Sequence, residues 1–258
     1  MGAKRVLITG ASSGLGKEMA VQLARRGWRV AVTGRRADKL AEAARLVREA
    51  GGEPLTLQGG VEDLAGVRAH YAELKRAWGG VDWAVLNAGV SGDRRTVFDA
   101  EDIDRVFSAN LQGAANWIDA VLPDMLAARS GTIAGVASIA GWRGLPRSGP
   151  YCASKAALIT LLESLRMDVA DTGVRVVTVC PGFVKSEMTD RNDPRDMWFM
   201  LETPDGAARM IAGIERGARV VHFPWQLSLL VKWLVTPMPA ALYEWLAPRL
   251  MRRRLLDP

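Results

Sequence analysis

The sequence predicts an α/β fold, a doubly wound parallel sheet with helices on both faces. Three observations carry that expectation. Short apolar runs alternate with segments of helical periodicity along most of the chain. The runs are apolar almost continuously rather than at every second residue, as in parallel strands covered on both sides. No linker, repeat or shift in composition divides the 258 residues, so one domain is the economical arrangement.

The elements follow in order. RVLITG (Arg5–Gly10) is a buried strand ending in glycine, and GKEMAVQLARRG (Gly16–Gly27) is a helix closed by a glycine suited to a C′ position. WRVAVTGR is the second strand, and ADKLAEAARLVREAGG is a helix closed by glycines. PLTLQ is the third strand, followed by a helix over Asp63–Trp78, and VDWAVLNAG is the fourth strand. A long helix is expected over Asp102–Arg129, with Pro123 marking a break or kink late in it. GTIAGVAS is the fifth strand, a helix containing Tyr151 runs on to Asp171, and VRVVTVCPG is the sixth strand. A helix over Pro204–Arg216 precedes a last strand at ARVVHFP.

Composition narrows the function classes. About half of the residues are apolar, enough for a sizeable core in a chain of 258 residues. Cys152 and Cys180 form no C-x-x-C pair, and His70 and His222 are the only histidines, so neither a disulfide framework nor a metal centre is expected. The net charge of +6 is mostly scattered arginine rather than one basic element with interleaved aromatics, which argues against a nucleic-acid partner. A strand pattern begins almost at once at Arg5, so a reduced, cytoplasmic protein is expected.

In doubly wound sheets ligands bind beyond the carboxyl ends of the strands, and the motifs fall there. After the first strand comes TGASSGLG (Thr9–Gly16), with glycines at 10, 14 and 16. They allow a tight turn and close approach of backbone to a phosphate at the start of the helix. The spacing is G-x-x-x-G-x-G rather than G-x-G-x-x-G. The second strand ends in TGRR, where Gly34 offers no carboxylate for a ribose hydroxyl and Arg35 and Arg36 offer two guanidinium groups for a 2′-phosphate. This favours NADP(H) over NAD(H). Tyr151 and Lys155 lie four apart and share one helix face. A nearby ammonium moves a phenol, with its ordinary pKa of about 10, towards neutrality. Taken alone the pair reads more readily as an exposed helix face.

Together TGASSGLG, LNAG (Leu86–Gly89), NLQG (Asn110–Gly113), Ser138, YCASK (Tyr151–Lys155) and PGFVKS (Pro181–Ser186) resemble the short-chain dehydrogenase/reductase family in its single-domain branch. The resemblance covers roughly residues 4 to 190. It implies a Rossmann-type sheet of seven parallel strands and reversible hydride transfer between NAD(P)(H) and an alcohol or carbonyl. By that resemblance Asn110, Ser138, Tyr151 and Lys155 are the catalytic four. Tyr151 would be the acid/base, Lys155 its tuner and a ligand of the nicotinamide ribose, and Ser138 a hydrogen-bond donor to the substrate oxygen. Asn110 would hold a water linking Lys155 to solvent. Cofactor contacts would come from Gly10, Ser12, Ser13, Gly14, Leu15 and Gly16, from Arg35, Arg36 and Val61, and from Asn87, Ala88 and Gly89. Tyr151, Lys155, Pro181, Gly182, Val184 and Ser186 would complete them. Homodimers or homotetramers are expected on the same ground.

Two positions depart from the family pattern. Gly60 stands where an aspartate usually contacts adenine, and Leu86 stands where the first of two asparagines is usual. Neither touches reacting atoms, so altered affinity and retained chemistry are expected.

By function, residues 1–190 should form the cofactor and catalytic core, 191–224 a substrate lid and the last strand, and 225–258 a C-terminal extension. The segment RDMWFMLETP (Arg195–Pro204) would be the lid, with Trp198, Phe199 and Met200 as its apolar face. The extension is apolar and ends in Arg249, Arg252, Arg253 and Arg254, but Lys232, Pro237, Pro239 and Glu244 interrupt it too often for a spanning helix. It could pack over the site or a subunit interface, line a pocket for a bulky apolar substrate, or lie in a membrane surface. The leading expectation is an NADP(H)-dependent oxidoreductase of hydrophobic alcohols and ketones. The alternative is a cofactor-binding regulatory protein or membrane-docked complex subunit with little turnover.

Overall fold

The computed structural model describes residues 3–93, 98–190 and 197–250. Seven parallel strands form one sheet: β1 (Arg5–Ile8), β2 (Arg29–Gly34), β3 (Glu53–Gln58), β4 (Trp83–Leu86), β5 (Gly131–Val136), β6 (Val174–Pro181) and β7 (Val220–Phe223). Their spatial order is β3-β2-β1-β4-β5-β6-β7. The order reverses between β1 and β4, so the crossovers above them diverge and leave a crevice at their carboxyl ends.

Alternation along each strand sends side chains to two cores. Leu7, Ala31, Ala84 and Ile133 enter one, with α3 (Leu64–Trp78), α5 (Gly113–Ala127) and α6 (Gly149–Asp168). Val6, Ile8, Val30 and Val85 enter the other, with α1 (Gly14–Ala24), α2 (Ala37–Glu49) and α7 (Thr203–Glu215). Both faces of the central strands are therefore largely dry, which is why their sequences read as unbroken apolar runs, whereas the edge strands β3 and β7 keep exposed positions.

Several boundaries differ from the sequence reading. The fourth strand is only Trp83–Leu86, because Asn87 and the residues after it leave the ladder at the crevice. The single long helix expected over Asp102–Arg129 is instead α4 (Ala100–Phe107), a π-helical turn at Ser108–Gln112, and α5. Pro123 does not break α5, which runs through it. The proline lies on the exposed face, where the carbonyl it leaves without a partner reaches water. The irregularity belongs to the π turn, whose extra residue re-aims Asn110 inward. The Tyr151 helix ends at Asp168 rather than Asp171, which takes a left-handed conformation (φ 63°). The first helix begins two residues early, at Gly14. Beyond β7 the chain forms α8 (Trp225–Leu230), a π-helical turn at Val231–Val235, and α9 (Ala240–Leu250).

Two glycines fix how α6 lies on the sheet. A Cβ at Gly135 in β5 would fall 2.3 Å from Leu162 Cδ1, so Leu162 occupies the volume a side chain would have filled. A Cβ at Gly141 would fall 2.9 Å from the carbonyl carbon of Lys155, pressing on the helix backbone itself. Gly135→Ala should therefore destabilise the fold by about 1–3 kcal/mol through overpacking. Leu162→Ala empties buried volume and is costly by itself, but the double variant should lose less than the sum of the two single losses. Thermal denaturation of the single and double variants reads this directly, and additive losses would show that the two side chains do not compete for one space.

Candidate active site

The crevice between β1 and β4 is closed at its floor by Thr9. Its Oγ1 accepts hydrogen bonds from the backbone N–H groups of Asn87 and Ala88, both at 2.9 Å. Asn87 Nδ2 donates back to the carbonyls of Thr9 (3.0 Å) and Gly10 (3.2 Å). Gly10 has φ 63°, and a Cβ there would fall 2.7 Å from Ala88 Cα; at Gly16 it would fall 2.5 Å from Asn87 Nδ2. No side chain fits at either point. Ser13 opens α1 without capping it through its side chain, which leaves first-turn N–H groups and two serine hydroxyls facing a phosphate-sized space.

At the end of β2, Arg36 Nη2 donates to Ser13 Oγ at 3.1 Å and pairs with Glu187 Oε2 at 2.9 Å. Arg36 in turn holds the Glu187 carboxyl below the usual carboxylate range. Both partners are about half exposed, so the pair itself is worth little, about 0–1 kcal/mol. A Cβ at Gly34 would fall 3.3 Å from Ser12 Cβ, so a longer side chain there would crowd the glycine-rich turn. Beyond β3, Asn116 Nδ2 donates to the carbonyls of Val61 (3.0 Å) and Glu62 (3.1 Å) and fixes that loop. Glu62 lines the cavity two residues after Gly60, so a carboxylate is present near the departure from the family pattern.

At the reactive end, α6 presents Tyr151 and Lys155 one turn apart, with Lys155 Nζ 5.8 Å from the centre of the Tyr151 ring. Lys155 is only 3% exposed and donates to the carbonyl of Val136 at 2.8 Å. Burial pushes its pKa down to about 8. Burial also pushes the neighbouring Cys180 thiol up to about 12, so Cys180 stays neutral near pH 7 and gives the ammonium no counter-charge. Ser138 lies two residues past β5; its Oγ accepts from Ala140 N–H at 3.1 Å and makes only a long 3.4 Å contact to the Pro181 carbonyl. That hydroxyl proton is weakly held.

One cavity of about 1220 Å³ joins these parts. Of the expected site residues, Gly10, Ser12, Ser13, Gly14, Leu15, Arg35, Arg36, Val61, Asn87, Ala88, Gly89, Ser138, Tyr151, Lys155, Pro181, Gly182, Val184 and Ser186 line it. Gly16 and Asn110 are not part of the wall. Gly16 lies beneath the turn it shapes. Asn110, 1% exposed, sits behind Gly89, where its Oδ1 accepts from Val90 N–H (2.7 Å) and its Nδ2 donates to Ser154 Oγ (3.0 Å). Ser154 donates onward to the Tyr151 carbonyl at 2.8 Å, so the π turn is coupled to the helix that carries the phenol.

The C-terminal extension roofs the other end. Leu227, Leu230, Val231, Val235, Met238 and Leu246 line the cavity. Arg143 fastens the roof: its Nη1 donates to the carbonyls of Val235 (3.0 Å), Thr236 (2.7 Å) and Met238 (2.8 Å), and its guanidinium lies 4.3 Å from the Tyr243 ring. Tyr243 Oη donates to the Gly144 carbonyl at 2.6 Å. In the expected lid all three apolar side chains are exposed, and of them Trp198 lines the cavity whereas Phe199 and Met200 do not. Leu201, which follows them, is tied by its N–H to the Phe183 carbonyl at 3.0 Å. Arg195 and the arginines at 252–254 lie outside the described residues.

The sequence reading missed Thr9, Ser148, Ser154, Asn116, Arg143 and Glu187. Ser148 Oγ is buried at the cavity wall and has no hydrogen-bond partner among the described residues. Thr9 and Ser154 lie inside the TGASSGLG and YCASK stretches, but nothing local distinguishes the other four. Among the described residues no cluster of His, Cys, Asp and Glu could hold a metal ion.

The Lys155 ammonium carries a measurable cost. In the unfolded chain the group keeps its proton up to about pH 10.4, whereas in the folded chain it releases it near 8. Between those values the unfolded state binds more protons, so this group's contribution to stability rises with pH. Lys155→Met should therefore raise the melting temperature most below pH 8, with the gain shrinking towards pH 10. A gain that grows with pH would contradict the burial cost.

The short chain dehydrogenase family model matches residues 4–196. An uncharacterized oxidoreductase of Myxococcus xanthus (strain DK1622) is 43% identical over 256 residues, covering 97% of this chain and 98% of its own. A 3-oxoacyl-(acyl-carrier-protein) reductase of Staphylococcus aureus (strain Mu50) is 36% identical over 189 residues, covering 72% of this chain and 77% of that one. The crystal structure of levodione reductase superposes with a TM-score of 0.81 at 27% identity, covering 87% of this chain and 97% of that one. With its seven-stranded parallel sheet and glycine-rich first turn, the chain belongs to the short-chain dehydrogenase/reductase family and is an NAD(P)-dependent oxidoreductase of that family.

Proposed function

We propose that the protein is an NADP(H)-dependent reductase or dehydrogenase of hydrophobic ketones and alcohols, with Tyr151 as its acid/base. The observation that carries this reading is the placement of Tyr151 one turn before a buried Lys155, inside a cavity that runs from the glycine-rich turn to an apolar roof. The glycine positions that admit no Cβ, the serine hydroxyls and the open first turn of α1 fit a pyrophosphate. Arg35 and Arg36 fit a 2′-phosphate. The Arg36–Glu187 pair is weak enough that a phosphate, taking charge-assisted hydrogen bonds of about 1.5–3 kcal/mol, would displace the carboxylate.

Bound nicotinamide would supply or accept the hydride. The chain's own residues handle the proton. Tyr151 would give its phenolic proton to the carbonyl oxygen in reduction and take it back in oxidation. Ser138 would turn its weakly held hydroxyl proton to the same oxygen. Lys155, fixed on the Val136 carbonyl, would favour the phenolate while positively charged, and its pKa of about 8 lets that charge respond near operating pH. Asn110 would act from behind, through Val90 and Ser154, by positioning rather than contact. Ser148, buried and unpaired, is a further donor for a substrate polar group. The apolar roof supports a bulky apolar substrate. A homo-oligomer in the cytoplasm completes the reading, supported by family membership alone.

Two measurements test it. Following nicotinamide absorbance with a panel of bulky ketones, Tyr151→Phe should lower kcat by about 10²–10⁴ while cofactor binding persists. Full activity of that variant would remove Tyr151 from the chemistry. Arg35→Ala and Arg36→Ala should each weaken NADPH binding by about 10–100-fold and leave NADH binding nearly unchanged. An unaltered NADPH/NADH ratio in both would reject the cofactor preference.

A further inference from the structure

The two short helices that roof the cavity have a second side. In α8 and the π turn after it, Leu227, Leu230, Val231 and Val235 face the cavity. Trp225, Leu229 and Trp233, spaced four apart, fall on another stripe of the same helix. They are exposed, Trp225 to 60% and Trp233 to 71%, and Leu234 beside them to 57%. In α9 the division repeats: Tyr243, Leu246 and Ala247 line the cavity, while Leu242 and Trp245 are exposed at 48% and 55%. Six large apolar side chains on one short stretch, three of them tryptophan, form a concentration that surfaces of soluble chains rarely carry without an occupant.

The charges around this face identify the occupant. Lys232 Nζ lies 5.7 Å from the Trp233 ring, and the Arg249 guanidinium lies 4.4 Å from the Trp245 ring. Among the described residues of the extension the only acid is Glu244, and the sequence adds Arg252, Arg253 and Arg254 directly after α9. Protein–protein interface cores share the tryptophan and arginine but deplete lysine, and Lys232 lies against Trp233 on this face. Tryptophan interleaved with Lys and Arg is the composition of elements that lie in the headgroup region of an anionic bilayer. No helix among the described residues is long and apolar enough to cross a membrane, so the chain would rest on the surface rather than span it.

We propose that α8, the π turn and α9 dock the protein on anionic lipid, with Trp225, Trp233, Leu234 and Trp245 in the interface and the cations on headgroups. The same segment walls the cavity, so docking sets the roof between lipid and site and offers an apolar substrate a route that avoids water. This stands apart from the proposed chemistry and does not need turnover to be tested.

Full-length protein should float with vesicles of equal parts phosphatidylglycerol and phosphatidylcholine, and much less with phosphatidylcholine alone or at high salt. The combined variant Trp233→Glu with Trp245→Glu should lose about tenfold or more in vesicle binding, with far-UV circular dichroism and cofactor affinity unchanged. Vesicle binding unaffected by that variant, or absent from the wild type, would overturn the proposal. So would a wild-type oligomer that the variant converts to monomers without any vesicle capture, since a second copy of the chain would then be the occupant.

Discussion

The geometry of the site depends on how closely α6 approaches β5. Two missing side chains set that distance. Gly135 leaves room for Leu162, and Gly141 lets the turn after β5 rest on the backbone of Lys155. With the helix held at that separation, the lysine reaches no carboxylate and ends on a single carbonyl at the end of β5. The ammonium is thus fixed by packing rather than by a counter-charge. Its lowered pKa is a consequence of that choice, because desolvation acts on it with little opposition. Ser138 and Tyr151 flank the same contact, so the strand and the helix bring all three groups together in one step.

Much of this was legible in the sequence because it depends on local pattern. The apolar runs mark the strands since both faces of the sheet are covered, and TGASSGLG and YCASK lie at strand ends and helix starts where their chemistry is exposed. What escaped depends on contacts far apart in the chain. Nothing in SANLQ announces a π turn, because the extra residue is stabilised by Val90 and Ser154 rather than by its own neighbours. Pro123 carries a strong local signal for a break, and the exposed face of α5 cancels it. Glu187 looks like an ordinary loop acid until β2 and the loop after β6 bring it to Arg36. The extension reads as apolar from composition, but the division between its cavity side and its outer side requires knowing which stripe lines the cavity.

The two ends of the cavity use charge in opposite ways. At the nucleotide end the cations are exposed, screened and exchangeable, suited to a ligand that arrives with its own negative charge. At the reactive end the Lys155 ammonium is dry and held in place, so small changes around it have large electrostatic effects. An entering apolar molecule would displace solvent from the second region and leave the first wet. On the proposed function, affinity and chemistry fall to different parts of one continuous space.

Arg143 gives the roof an unusual mechanical property. Three carbonyl anchors, those of Val235, Thr236 and Met238, and one aromatic plate converge on a single guanidinium rooted in the body of the protein. Bonds that share one donor do not fail one at a time. When that group swings away, its three carbonyls are released together, and the Tyr243 hydroxyl on the Gly144 carbonyl is the tie that remains. Opening would be a discrete event with its own rate. A catalyst built this way could have its pace set by the latch, with the reacting atoms waiting on it.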